Sequence, residues 1–230
     1  MSMNISTTEY EQRRHVFELC KWINEKLSEM ETHPDFETIY FERQGTNVKK
    51  LIEEAMPLAC LGLYFFRPAD DVYLRCLAGN QGYDAELSVT GFRNLEIKVE
   101  VTTVETDEST MRRQALSRHG SVSMTGEIRR EGRNIISEAE MVDTDLENKK
   151  WIALAFERAV KKIERGYGED TAILVSFSSF RHIPLRYRAE LLERTERYLR
   201  QEKPQIYGVY YSYGDDFVTD GLEVERRRWV

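Results

Sequence analysis

The chain has 230 residues, 41% of them hydrophobic and 32% charged, with a formal net charge of −7. This composition fits a soluble globular protein long enough to bury a core. It holds no apolar run near the roughly 20 residues that span a bilayer, so no membrane partner is expected. The acidic balance argues against a nucleic-acid coat or chromatin protein, but not against an enzyme with a local basic patch. The opening Met1-Ser2-Met3-Asn4-Ile5-Ser6 lacks a basic segment followed by an apolar one, so no secretory signal is expected. Cys20, Cys60 and Cys76 are far apart in apolar surroundings and read as reduced, buried thiols of a cytoplasmic protein. His15, His33, His119 and His182 have no metal-site spacing.

Residues 8–31 read as a helix, because Val16, Leu19, Cys20, Ile23, Leu27 and Met30 recur at helical spacing and Pro34 follows. Residues 36–42 read as a short strand or extended linker. A second helix over 47–65 carries the stripe Val48, Leu51, Ile52, Ala55, Met56, Ala59 and Leu63, and Pro57 is expected to kink it. Residues 72–77 are a strand candidate, followed by a Gly/Asn turn at 78–82.

Two alternating stretches come next, Tyr83 to Val89 and Asn94 to Val101. Strand side chains alternate between faces. Ala85, Leu87, Val89, Leu95, Ile97, Val99 and Val101 therefore share an apolar face, and Asp84, Glu86, Glu96, Lys98 and Glu100 share the polar one. A three-residue loop centred on Gly91 would set Asp84 across from Lys98 and Glu86 across from Glu96. Two acids and a lysine on one surface suit a divalent cation and an attacking water, the chemistry of metal-assisted phosphodiester cleavage. The same pattern also describes a hairpin with one solvated, charge-paired face.

Residues 103–146 are polar and irregular, with an arginine-bearing hairpin expected over 121–137 and an acidic stretch after it. Such a run is either a solvated loop or a flap that touches phosphates. A helix over 147–165 follows, with Lys161, Lys162 and Arg165 near its C-terminus as the helix dipole prefers. An apolar strand at 171–177, a helix over 185–201 and a strand at 206–212 form a crossover between parallel strands. There is no Gly-rich phosphate loop and no nucleophile elbow.

This order, with Asp84 at the start of one strand and Glu96-Ile97-Lys98 in the next, resembles the PD-(D/E)xK, or restriction-endonuclease-like, nuclease superfamily across roughly residues 47–178. Tyr83 stands where the family usually writes a proline. The resemblance implies an α/β fold: a restriction-endonuclease-like core with a mixed central sheet flanked by helices. To this it adds an N-terminal helical extension (1–46) before the nuclease-like domain (47–230), and the long polar insertion (103–146). It implies Mg²⁺ or Mn²⁺ held by Asp84, Glu96, the Ile97 carbonyl and Glu53, with Glu54 the alternative to Glu53, and Lys98 orienting the water. Arg112, Arg113, Arg118, Arg129, Arg130 and Arg133 would grip a nucleic-acid backbone, DNA rather than RNA, and the chain would pair as a homodimer to cut duplexes. Two other readings stand beside it. One is an inactive nuclease-like domain that binds nucleic acid or protein. The other is an unrelated α/β protein whose Tyr207, Tyr210, Tyr211 and Tyr213 line a ligand surface or pack a strand.

Overall fold

The computed structural model describes residues 3–224 apart from 80, 124, 133, 178–181 and 214–217. The chain runs α1 (Thr7–Tyr10), β1 (Arg14–His15), α2 (Val16–Glu31), α3 (Phe36–Phe41), α4 (Val48–Lys50), a π-helical segment (Leu51–Ala55), α5 (Met56–Phe65) and β2 (Asp70–Cys76). Then come β3 (Ala85–Gly91), β4 (Leu95–Val104), α6 (Asp107–His119), the hairpin β5 (Ile128–Glu131) and β6 (Asn134–Ser137), and α7 (Thr144–Ile163). The chain closes with β7 (Thr171–Phe177), α8 (Leu185–Glu202), β8 (Gly208–Tyr213) and β9 (Val218–Glu223). Seven strands form a mixed sheet in the order β1-β2-β3-β4-β7-β8-β9. The first four are antiparallel, β4, β7 and β8 run parallel, and β9 returns antiparallel. It is an α/β protein with helices on both faces of a mixed sheet, and no helix of the described residues is long and apolar enough to cross a membrane.

Alternation decides which layer each strand feeds. Val72, Leu74, Leu87, Val89, Ile97 and Val99 enter one core with Leu19, Ile23, Leu51, Leu58 and Leu61 of the N-terminal helices. Val104, Ile173, Val175, Val209 and Tyr211 enter a second core with Trp151, Ile152 and Ala155 of α7 and Leu191 of α8. β7 is buried along its whole length, as a central parallel strand should be. The far side of β2 and β3 carries Tyr73, Arg75, Glu86 and Ser88, all partly or fully exposed.

Several expectations are corrected. The first helix breaks: Arg14 and His15 pair with Leu74 and Tyr73 of β2. The Arg14 guanidinium donates to the carbonyls of Glu9 and Gln12, and His15 with Glu18 makes a capping box that restarts the helix. Residues 36–41 form a helical turn in place of a strand, with Phe36 stacked on Tyr40 four residues on at 5.5 Å; aromatics favour strands, but here the i,i+4 contact decides. Pro57 lies in the first turn of α5, directly after the π-helical segment. A proline has no N–H and its ring crowds the carbonyl four residues back, here that of Glu53, so a widened turn replaces a sharp kink. The irregular insertion contains α6 before its hairpin. Of the cysteines, Cys60 and Cys76 are buried and Cys20 is only half-buried; all are free.

The β3–β4 register also differs from expectation. Ala85 pairs with Val99, Glu86 with Lys98 and Ser88 with Glu96. The turn therefore centres on Phe92, one residue beyond Gly91. Gly91 stays in the β2–β3 ladder opposite Asp70, where a Cβ would come within 2.2 Å of the Ala69 carbonyl oxygen. Buried Asp70 anchors the turn by accepting from the Arg93 backbone N–H at 3.0 Å and the Arg93 Nε at 2.8 Å. The Arg93 guanidinium also donates to the Phe65 carbonyl at 2.6 Å.

β9 was not expected from the sequence Val-Thr-Asp-Gly-Leu-Glu, which has weak strand propensity. It forms because β8 offers an edge, and Gly221 lets the Tyr210 ring lie where a Cβ would sit 2.2 Å from a ring carbon.

Candidate functional site

Asp84 stands one residue before β3. Its N–H donates to the Val99 carbonyl and its own carbonyl accepts from the Leu77 N–H, both at 2.8 Å. Carrying the strand register one step outward sets Asp84 level with Glu100. There β3 has ended, and the Asp84 carboxylate accepts from the Val101 N–H at 2.7 Å, closing the ladder with a side chain. Glu100 is 7% exposed. Its carboxylate pairs with Nζ of Lys162, which reaches down from the last turn of α7.

From the opposite layer, the π-helical segment brings Glu54 to the same rim. Tyr10 O–H donates to Glu54 at 3.3 Å and Lys50 Nζ lies 3.4 Å from it. Burial, followed by the nearby Asp84 charge, pushes the Glu54 carboxyl up to about 7. Burial also raises Asp84; Glu100 adds to that rise, while the Val101 N–H, Lys162 and Lys50 oppose it. Buried Cys76, between Glu54, Arg14 and Tyr10, is pushed up to about 12 by burial first and the Glu54 charge second. Three carboxylates thus repel one another in series, with Lys50 at one end and Lys162 at the other. When all ionise, negative charge is in excess. Among the described residues no three Asp, Glu, His or Cys side chains already converge as a metal-holding group.

The residues anticipated from sequence lie in several places. Asp84 is at this rim. Glu96 is exposed opposite Ser88 and borders a 640 Å³ cavity with Glu169, Asp170, Tyr207 and Glu223. Lys98 pairs with Asp170 at 2.8 Å and lies 5.5 Å over the Tyr83 ring. Ile97 is buried in the apolar core. Glu53 turns the other way, to Arg43 at 3.5 Å and Lys49 at 3.8 Å. Glu86 pairs with Arg75 at 3.7 Å.

The arginines of the insertion are engaged within the protein. Arg112 is buried and donates to the carbonyls of Ser123 and Gly126. Arg113 is buried against Glu105 and donates to the Phe41 carbonyl, and burial lowers its pKa to about 10. Arg118 pairs with Glu42, Arg129 with Glu127, Glu131 and Glu138, and Arg130 with Gln114. Arg133 lies outside the described residues. Tyr210, Tyr211 and Tyr213 are fully buried strand packing, which removes them from any ligand surface.

Sequence reading passed over two residues of this rim as site members. Glu100 shares the parity of Asp84 and Glu96, and a register longer by one pair would have singled it out. Lys162 read as a dipole-complementing lysine; its place beside the buried stripe of Ala155 and Ala159 was the available signal. No protein-family model, no curated protein and no solved structure matches the chain.

Proposed function

We propose that this chain hydrolyses phosphodiester bonds of nucleic acid, DNA before RNA, with Mg²⁺ or Mn²⁺ held at Asp84 and Glu100. The observation that carries this reading is the β3–β4 register. It sets two carboxylates level at the end of the ladder, with the amine of Lys162 at the same rim. The order α5, β2, β3, β4, α7, β7, with β2 to β4 antiparallel and β4 and β7 parallel, supports a restriction-endonuclease-like core. In this version the second acid is Glu100 and the lysine comes from α7, because Thr102 stands where the lysine of an acid-x-lysine triplet starting at Glu100 would be.

The donors fit a hard cation. They are all carboxylate oxygens, and both Glu54 and Asp84 are raised first by burial and then by a neighbouring acid, Asp84 for Glu54 and Glu100 for Asp84, a repulsion that a cation would relieve. Glu54 would supply the third ligand, directly or through water. The chemistry that Mg²⁺ or Mn²⁺ supplies when bound is a polarised phosphate and a lower pKa for the attacking water. Lys162, at the same rim, would stabilise charge growing on the phosphate oxygens. Lys50, 3.4 Å away, favours the ionised form of Glu54 without offsetting its burial. The Val101 N–H fixes one Asp84 oxygen.

A second reading is a nuclease-like module that binds without cutting. It is favoured by the existing partners of Asp84 and Glu100 and by the lack, among the described residues, of three side chains already grouped to hold a metal. Calorimetric titration with Mn²⁺, and incubation of labelled single- and double-stranded DNA and RNA with Mg²⁺ or Mn²⁺, separate the two. The nuclease reading expects micromolar-to-millimolar metal binding, lost in Asp84→Asn, and cleavage abolished by EDTA. Metal binding without cleavage of any substrate leaves the binding module, and neither metal binding nor cleavage removes the metal site as well.

A further inference from the structure

We infer that Arg158 is a phosphate-binding residue of the cleft beside Asp84 and Glu100, gripping the nucleic-acid backbone next to the bond that is cut. The inference rests on the nuclease reading of that rim and names the group that would hold its substrate. Arg158 Nε is buried with no hydrogen-bond partner. None of the described acids pairs with its guanidinium. The insertion arginines Arg112, Arg113, Arg118, Arg129 and Arg130 all have partners within the fold. A buried guanidinium donor left unmade is costly, and a phosphate oxygen brought to it would satisfy it.

Its place on α7 fits that role. Phe156 faces α8, 5.8 Å from Tyr198 and 4.2 Å from the Arg194 guanidinium. Two residues on, about 200° around the helix, Arg158 lies on the opposite flank, away from α8. Lys162 is one turn further along that side, and Lys161 and Arg165 are exposed near it. The helix returns the chain between two parallel strands, so it runs antiparallel to β4. Four helical residues rise about 6 Å and two strand residues about 6.6 Å. With Lys162 on Glu100, Arg158 is therefore level with Thr102, one step past the acid pair. A planar guanidinium there presents paired N–H groups to a phosphate, which a lysine cannot do in the same geometry.

The test uses the full chain with Ca²⁺ in place of Mg²⁺, a labelled 20-nucleotide single-stranded DNA and its duplex, and variants Arg158→Ala and Arg158→Lys. Binding in Arg158→Ala should weaken about tenfold, with the salt dependence of log K falling by about 0.7 on the single strand. Arg158→Lys should recover about a third of the lost affinity while keeping the wild-type unfolding midpoint. Mn²⁺ affinity should be unchanged in both. Wild-type DNA affinity in Arg158→Ala, with Mn²⁺ affinity intact, overturns the Arg158 assignment and spares the metal site. A wild-type protein that binds DNA but no Mn²⁺ overturns the catalytic reading, and the Ala variant still decides Arg158. A wild-type protein that binds neither form of DNA overturns the assignment outright.

Discussion

Along the outer face of β4, Glu96 stands in solvent, Lys98 is half-exposed on Asp170, and Glu100 is 7% exposed beneath α7. The three share one strand, one face and one alternating pattern. What separates them is cover. The outer side of the β2–β4 meander meets water, where charge pairs are screened and contribute little. Two residues further on, α7 closes over the strand and brings a lysine with it. Glu53 and Glu54 repeat the contrast within one helical turn. Glu53 joins a cluster in which each carboxylate has a cation, Arg43 and Lys49 for itself and Arg113 for Glu105. Glu54 faces another carboxylate across the rim. Buried charge that is balanced holds a fold together, whereas buried charge that is frustrated stores free energy that a ligand can release.

The largest expected effect breaks this comparison at β4. Glu100→Gln should lower metal-dependent cleavage at least 1,000-fold, about 4 kcal/mol of transition-state stabilisation. Glu96→Gln, on the same face but in solvent, should stay within about threefold. Equal loss in both variants, measured as initial rates on one labelled substrate, would show that cover by α7 does not mark the reactive acid.

Next is the balanced cluster. Arg113→Ala leaves Glu105 buried without its cation and should destabilise the protein by about 3 kcal/mol in urea unfolding. Mn²⁺ affinity should stay at the wild-type value, since neither residue reaches the Asp84 rim.

Glu54 sharpens the contrast through pH. Its folded carboxyl holds a proton up to about pH 7, while the unfolded chain loses it near the ordinary glutamate value of 4.5. The folded form binds more protons between those values, so the Glu54 contribution to stability falls as pH rises through that window. Glu54→Gln should flatten this slope and stabilise the metal-free protein at pH 8 by about 2 kcal/mol, the full linkage value being reduced because the side chain is partly exposed. Saturating Mn²⁺ should stabilise the wild type at pH 8 more than the variant. A wild-type stability that rises between pH 5 and pH 7.5, with the variant following it, would remove the strained carboxylate.

The smallest effect concerns Lys98. Its partner Asp170 is about half exposed, so Lys98→Ala should leave the urea unfolding midpoint close to the wild-type value. Cleavage should fall less than threefold. A loss of 100-fold would return the amine of the mechanism from Lys162 to Lys98.

The elements that the sequence made legible are those with sustained periodicity. The apolar stripe of α7, the run Thr171 to Phe177 and the alternation flanking Asp84 all stand where their spacing placed them. β9, α3 and the break at Arg14 were not legible, because each depends on a neighbour: the β8 edge, a stacked ring pair and the β2 strand. At the proposed site, parity alone placed Asp84 and Glu100 on one face of the hairpin. Parity repeats every two residues, so it cannot tell Glu96 from Glu100. That choice depended on where the turn sits. Gly91 pressed against Ala69 and Arg93 held by Asp70 set it, and both contacts come from a strand some twenty residues away. Which acid is covered, and which lysine covers it, followed from the packing of α7 across the sheet. Burial and Coulomb interaction are properties of distance in space, and the order of residues along a chain does not specify them.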